Sequence, residues 1–154
     1  MALRNVVKEG DAVLRKKCKV VQKFDESLWE LLDDMKDTMY KNIGMGLAAP
    51  QVGVLKRVVV MEVNNCFFEM INPVITKQSG SVIDTEACLS VPNQSGMVER
   101  PEKLTVEFQD RFGFNLSVSG EGLFARCVCH ELDHLDGVLY IDKLTKKPKT
   151  KEAK

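Results

Sequence analysis

Two histidines are the whole histidine complement of this 154-residue chain, and they stand four residues apart. His130 and His134 bracket Glu131 in the run His130, Glu131, Leu132, Asp133, His134. On a helix, positions i and i+4 share a face, so both imidazoles can reach one metal ion. Metal-assisted hydrolases use this HExxH pattern, with the histidines as ligands and the adjacent glutamate as general base. The plain alternative is a helix surface that carries these residues and binds nothing. Two histidines do not hold a catalytic metal, so a third protein ligand is needed, with one position left open for water.

Downstream the choices are few. Gly137 is followed by Tyr140, where a metzincin protease would place its third histidine, and neutral tyrosine is a weak ligand. The only later glutamate is Glu152, in a lysine-rich stretch. The third ligand is therefore expected upstream, among the thiols Cys18, Cys66, Cys88, Cys127 and Cys129. Cys127 shares a helical face with His130 and His134, which makes it a conceivable ligand, yet it reads more readily as a small apolar core residue. Cys129 points about 100° away from His130 and is expected in the core. Cys18 and Cys66 have no motif around them. Cys88 lies in DTEACLS at 84–90, ahead of Val91 and Pro92, where a core cysteine would also be ordinary. From the residues alone, Cys88 and Cys127 both stay open.

These groups need elements to hold them. Residues 24–42 read as an amphipathic helix, with Leu28, Leu31, Leu32, Met35 and Met39 on one face, Asp25 as N-cap and Gly44 as a stop. Residues 57–63 read as a buried strand. Residues 66–76 are extended, with a break at Asn72 and Pro73. Residues 104–108 and 114–118 read as strands joined by a turn at 110–113. Residues 121–136 read as a second helix ended by Gly137, and 138–141 as a short strand. The expected class is α+β, with antiparallel strands packed around a central helix that carries HExxH. The whole chain, 1–154, is read as one domain, with 143–154 a basic solvated tail.

Composition agrees with a soluble globular protein and argues against other classes. Apolar residues make up 44% and charged residues 29%, as in ordinary globular proteins. Lysine plus arginine balance aspartate plus glutamate at 22 each, which gives no electrostatic case for a direct nucleic-acid site. No apolar run reaches transmembrane length, so no membrane association is expected. The odd cysteine count shows no disulfide framework and suits a reducing cytoplasm.

Three separated motifs resemble one family. GMGLAAPQ at 44–51 is similar to the pattern GxGLAAxQ, EACLS at 86–90 to EGCLS, and HELDHLDG at 130–137 to HExDHLxG. Their order and spacing match the peptide deformylases across roughly residues 1–145. One position departs: the glycine of the second motif is Ala87. Because this family lays its substrate beside the ligand cysteine, the added methyl is expected to alter substrate fit and to leave the metal in place.

The resemblance implies that Cys88, His130 and His134 bind one divalent ion per chain, with water at the fourth position. Ferrous iron is the implied native metal, and zinc, nickel or cobalt suit the same ligand set. Glu131 is then the general base, and the Gln51 side-chain amide and the Leu89 backbone N–H serve the oxyanion. Met45, Gly46, Ala87, Leu123 and Cys127 are the implied substrate contacts, with Met45, Leu123 and Cys127 around the methionine side chain. Arg126 is expected to keep its stem at the pocket rim and its charge in water. Glu86 and Arg100 are read as a pair that steadies the second motif. The implied partner is the formyl-methionyl end of a nascent peptide, with transient ribosome contact as a further family trait. The competing readings are a zincin-like endopeptidase, which lacks its downstream ligand here, and a metal-stabilised binding protein without turnover.

Overall fold

The computed structural model describes residues 2–145. In chain order its regular elements are α1 (Glu26–Lys41), β1 (Gly46–Ala48), β2 (Val58–Val63), β3 (Cys66–Ser79), β4 (Val82–Cys88), β5 (Val91–Arg100), β6 (Lys103–Gln109), β7 (Asn115–Glu121) and α2 (Leu123–Leu135). Short 3-10 turns lie at Ala12–Arg15, Ala49–Val52 and Tyr140–Lys143. The strands pair antiparallel throughout, as a five-stranded sheet in the order β1-β2-β3-β6-β7 and a separate β4-β5 hairpin. The class is α+β. No described helix is long and apolar enough to cross a membrane.

Strand β2 explains why this sheet is covered on both faces. Its side chains alternate, and both sets are apolar except for Glu62. Val58 and Val60 join Leu28, Leu31, Leu32, Met35 and Met39 of α1 in one buried cluster. Val59, Met61 and Val63 join Phe124, Ala125, Val128, Leu132 and Leu135 of α2 in another. A strand buried on both faces reads as a continuous apolar run, which is how 58–61 reads.

Helix α1 starts where Asp25 caps it, accepting from the Leu28 amide at 3.3 Å. It closes with Ile43 in the left-handed region at φ 56°, while the Gly44 amide bonds back to the Met39 carbonyl. The left-handed residue throws the Ile43 side chain outward, where it is 94% exposed. Strand β3 runs on to Ser79. Its break is real: Asn72 has φ 54°, and the register shifts between Ile71 and Val74. Pro73 has no N–H to give the ladder. The Asn72 side chain instead ties both backbone groups of Val21 and the Gln109 amide. In the β6–β7 turn, Asp110 accepts from the amides of Phe112 and Phe114.

Two expectations differ from the structure. Helix α2 begins at Leu123, because Glu121 still pairs in β7 and Gly122 turns the chain at φ 63°. Residues 138–141 form no strand; the Tyr140–Lys143 turn stands there, its Asp142 carboxylate accepting from the Leu139 amide. Leu139 and Tyr140 are buried against Val91 and Val98 of β5. Of the expected tail, Lys143 bonds to Asp133 and the Thr145 amide to the Met97 carbonyl. The rest of it, 146–154, lies outside the described residues.

Candidate metal centre and active site

The β4–β5 hairpin brings Cys88 against α2. Cys88 ends β4, and residues 89 and 90 turn the chain into β5. Donor atoms of Cys88, His130 and His134 all lie within 4.8 Å of one another. The Cys88 Sγ is 3.4 Å from His134 Nε2, and the two imidazole rings meet edge to face at 5.2 Å between centroids. Cys127 is outside this group. It is buried, its thiol is pushed well above the ordinary value by burial, and it lines the adjoining cavity.

The donor chemistry fits a divalent ion. One thiol and two imidazoles at a single point are what a tetrahedral site needs, with one position left for water. His130 directs Nδ1 at Glu86 Oε1, 2.8 Å away, which fixes the ring and leaves Nε2 for a ligand bond. Burial drives His134 down to about 3, so its imidazole is neutral. Burial would also lower His130, but its bonds to Cys88 and Glu86 prevail and push it up to about 10. An ion held by all three donors would need both imidazoles neutral and the thiol deprotonated, so its binding would release protons.

Glu131 lies beside this cluster and is 4% exposed. Its Oε1 has no hydrogen-bond partner, and burial drives its carboxyl up to about 7 against the pull of His130. Gly46 makes room for it: a Cβ added there would stand 2.6 Å from Glu131 Oε2.

Glu86 is the hub of a buried charge network. It accepts from Arg100 Nε at 2.7 Å and Nη2 at 2.9 Å, from Arg126 Nη1 at 2.8 Å, and from His130. Burial alone would raise its carboxyl; Arg100 and His130 outweigh it and hold it down to about 2. Arg100 also grips Asp133 at 2.7 Å. The expected place of the Arg126 charge is corrected here. Its guanidinium is not in water but buried, bonding to Glu86 and to the carbonyls of Val98 and Val82 at 2.9 and 2.8 Å. A side chain that satisfies three acceptors has no reason to reach for solvent.

Gln51 is buried in the 3-10 turn after β1. The Ala48 amide donates to its Oε1 at 3.0 Å, which decides the orientation of the side-chain amide. Its Nε2 then faces Ser90 Oγ at 3.1 Å and Cys88 Sγ at 3.6 Å. The segment before the first 3-10 turn ties these pieces together. The Val7 amide bonds to the Gln51 carbonyl and the Glu9 amide to the Ser90 carbonyl, each at 2.7 Å. Between them, Lys8 Nζ lies 3.4 Å from the Leu89 carbonyl oxygen.

A cavity of ≈ 590 Å³ opens onto the cluster. Met45, Gly46, Ala87, Leu123 and Cys127 line it, as do Gln51, Cys88, Leu89, His130 and Glu131. His134 does not; it sits behind them. Met45 and Leu123 are 43% and 47% exposed, an apolar surface without a partner among the described residues. Ala87 lies where the β4–β5 register shifts, exposed and outside the positive-φ region, so its methyl group carries no backbone strain. Ser90, Lys8 and the guanidinium of Arg126 are parts of this site that the residues alone did not assign. Ser90 stood inside the second motif and was the one with a visible signal.

The family model for polypeptide deformylase matches residues 3–150. The chain belongs to the peptide deformylase family. A peptide deformylase of Caldicellulosiruptor bescii is 58% identical over 94% of this chain and 87% of that relative. The crystal structure of the peptide deformylase from Thermotoga maritima superposes with a TM-score of 0.92 at 41% identity, covering 94% of this chain and 99% of that one. The Ehrlichia chaffeensis peptide deformylase, solved in complex with actinonin, gives a TM-score of 0.92 at 37% identity, covering 95% and 91%. Peptide deformylases are metal-dependent hydrolases. They remove the formyl group from the N-terminal methionine of newly made polypeptides, a step of protein biosynthesis, and that is the activity of this chain.

Proposed function

We propose that Cys88, His130 and His134 hold one divalent ion and that Glu131 is the general base of deformylation. The observation that carries this reading is the convergence of the three donors beside a buried, unpaired Glu131 oxygen. The bound ion would lower the pKa of water and polarise the formyl oxygen. Glu131, buried with an unpaired oxygen, takes the proton of the attacking water and later delivers one to the leaving amine. Gln51 Nε2 and the Leu89 N–H donate to the oxyanion as the formyl carbon becomes tetrahedral. The amide orientation imposed by Ala48 supports the Gln51 role. Met45, Leu123 and Cys127 receive the methionine side chain, while Gly46 and Ala87 flank the peptide.

On this reading α2 is the working centre of the fold, with the antiparallel strands arranged around it, and the chain acts as a single domain. Ferrous iron is the native ion, with zinc, nickel and cobalt as substitutes. The enzyme works in the cytoplasm on nascent formyl-methionyl chains, in transient contact with the ribosome.

The test measures bound metal and formate release on the same preparations. Cys88→Ala should lose its metal while Cys127→Ala keeps it. Glu131→Gln should keep its metal and lose about 10²–10⁴-fold in kcat. Metal loss from Cys127→Ala with retention in Cys88→Ala would overturn the ligand set. Near-normal turnover by metal-loaded Glu131→Gln would overturn the base.

A further inference from the structure

Five ionisable side chains line the cleft: Lys8, Glu86, Arg126, His130 and Glu131. Four of them are built into the site. Glu86 and Arg126 neutralise each other, His130 bonds to Glu86, and Glu131 is buried. Lys8 is different. It is exposed, its nearest polar contact is the Leu89 carbonyl, and among the described residues no carboxylate pairs with it. The other polar side chains that line the cavity, Asn42, Gln51, Thr85, Asn93 and Gln94, are neutral. The mouth of the cleft therefore presents one uncompensated positive charge.

We propose that Lys8 gives this enzyme a preference for nascent chains with an aspartate or glutamate one or two residues beyond the formyl-methionine. This rests on the reading of the Leu89 N–H as an oxyanion donor, because that reading fixes which end of the cleft holds the formyl group. The N–H and C=O of Leu89 belong to one residue. An ammonium 3.4 Å from that carbonyl is within about 10 Å of the formyl oxygen. An extended peptide advances about 3.3–3.6 Å per residue, so this span covers methionine and the next two residues. A lysine suits the task because its flexible stem lets one point charge follow a carboxylate at either position. The pair is exposed, so its effect is modest, about two- to fivefold, and screened by salt.

The experiment compares formyl-Met-Glu-Ala with formyl-Met-Gln-Ala, and formyl-Met-Ala-Glu with formyl-Met-Ala-Gln, on the metal-loaded enzyme. The glutamate-to-glutamine ratio of kcat/KM should be about two to five for at least one pair at low salt, carried by KM. It should approach one at high salt and in Lys8→Met, and fall below one in Lys8→Glu. Each ratio is internal to one variant, so any general loss through Leu89 cancels. A wild-type ratio at or below one for both pairs would overturn the proposal. So would a preference that survives Lys8→Met, because the acid would then be sensed elsewhere. The same ratios are also read as dissociation constants for metal-loaded Glu131→Gln. Failure of the hydrolytic reading thus shows as lost turnover, and failure of the Lys8 reading as lost discrimination.

Discussion

Gly46 and Glu131 are 85 positions apart in a chain where neither explains itself alone. The structure shows why one must be a glycine: its missing side chain is where the other's carboxylate stands. Gly46 is not in the positive-φ region, so alanine there meets no backbone penalty and probes the steric contact alone. Gly46→Ala should push the carboxylate aside by a fraction of an ångström or more. A misplacement of about 1 Å can cost roughly 10²-fold in rate. The expected result is a large fall in kcat with bound metal unchanged, measured by formate release and metal analysis together. Wild-type turnover would show that Glu131 is not held where Gly46 suggests. HExxH was legible because its spacing is local and a helix converts spacing into direction. The Arg126 charge was not, because its partner Glu86 is 40 residues away and only the fold brings them together.

At the scale of elements, four of the sheet's five strands and both helices were readable, and the short β1 and the β4–β5 hairpin were not. Strand β2 announces itself through five buried apolar residues, and α1 through its face and its Asp25 cap. Strands β4 and β5 are about half exposed and mix polar with apolar residues, so they show neither a continuous apolar run nor a clean alternation. What holds this hairpin against α2 is polar: Arg126 on the helix bonds to Val82 of β4, Val98 of β5, and Glu86 between them. Arg126→Met keeps the stem and removes those bonds. It takes the side-chain donor from two carbonyls and leaves one buried carboxylate short of a cation. Removing one partner from a buried charge network costs about 3 kcal/mol or more. In a chain of this size that lowers Tm by roughly 6–12 °C. A melting temperature within a degree or two of wild type would mean that the hairpin is pinned by something else.

The whole molecule has two large clusters against the sheet and a small one under β5, while residues 2–9 belong to none of the regular elements. Residues 2–9 cross the surface on single bonds. Ala2 and Arg4 bond to the buried Asp34, the Arg4 amide to Thr38, Val7 to Gln51 and Glu9 to Ser90. Burial would raise the Asp34 carboxyl, but the Ala2 amide and the Arg4 guanidinium outweigh it and hold it below its ordinary value. A lowered folded value means that Asp34 stabilises the native state above about pH 4. That contribution fades as pH falls through the lowered value. A segment tied by separate bonds opens locally at a smaller free energy than the core does. Yet two of its bonds hold Gln51 and the turn that carries Leu89. The enzyme should therefore fall silent before it melts. On heating, formate release should decline below the transition seen by circular dichroism, and the amides of Val7 and Glu9 should exchange hydrogen faster than those of β2. Asp34→Ala should widen the gap between the two midpoints. Coincident midpoints in wild type and variant would show that the strap and the core open as one unit. Otherwise the thermal ceiling on this chemistry is set by eight residues at the edge, and a better-packed core would not raise it.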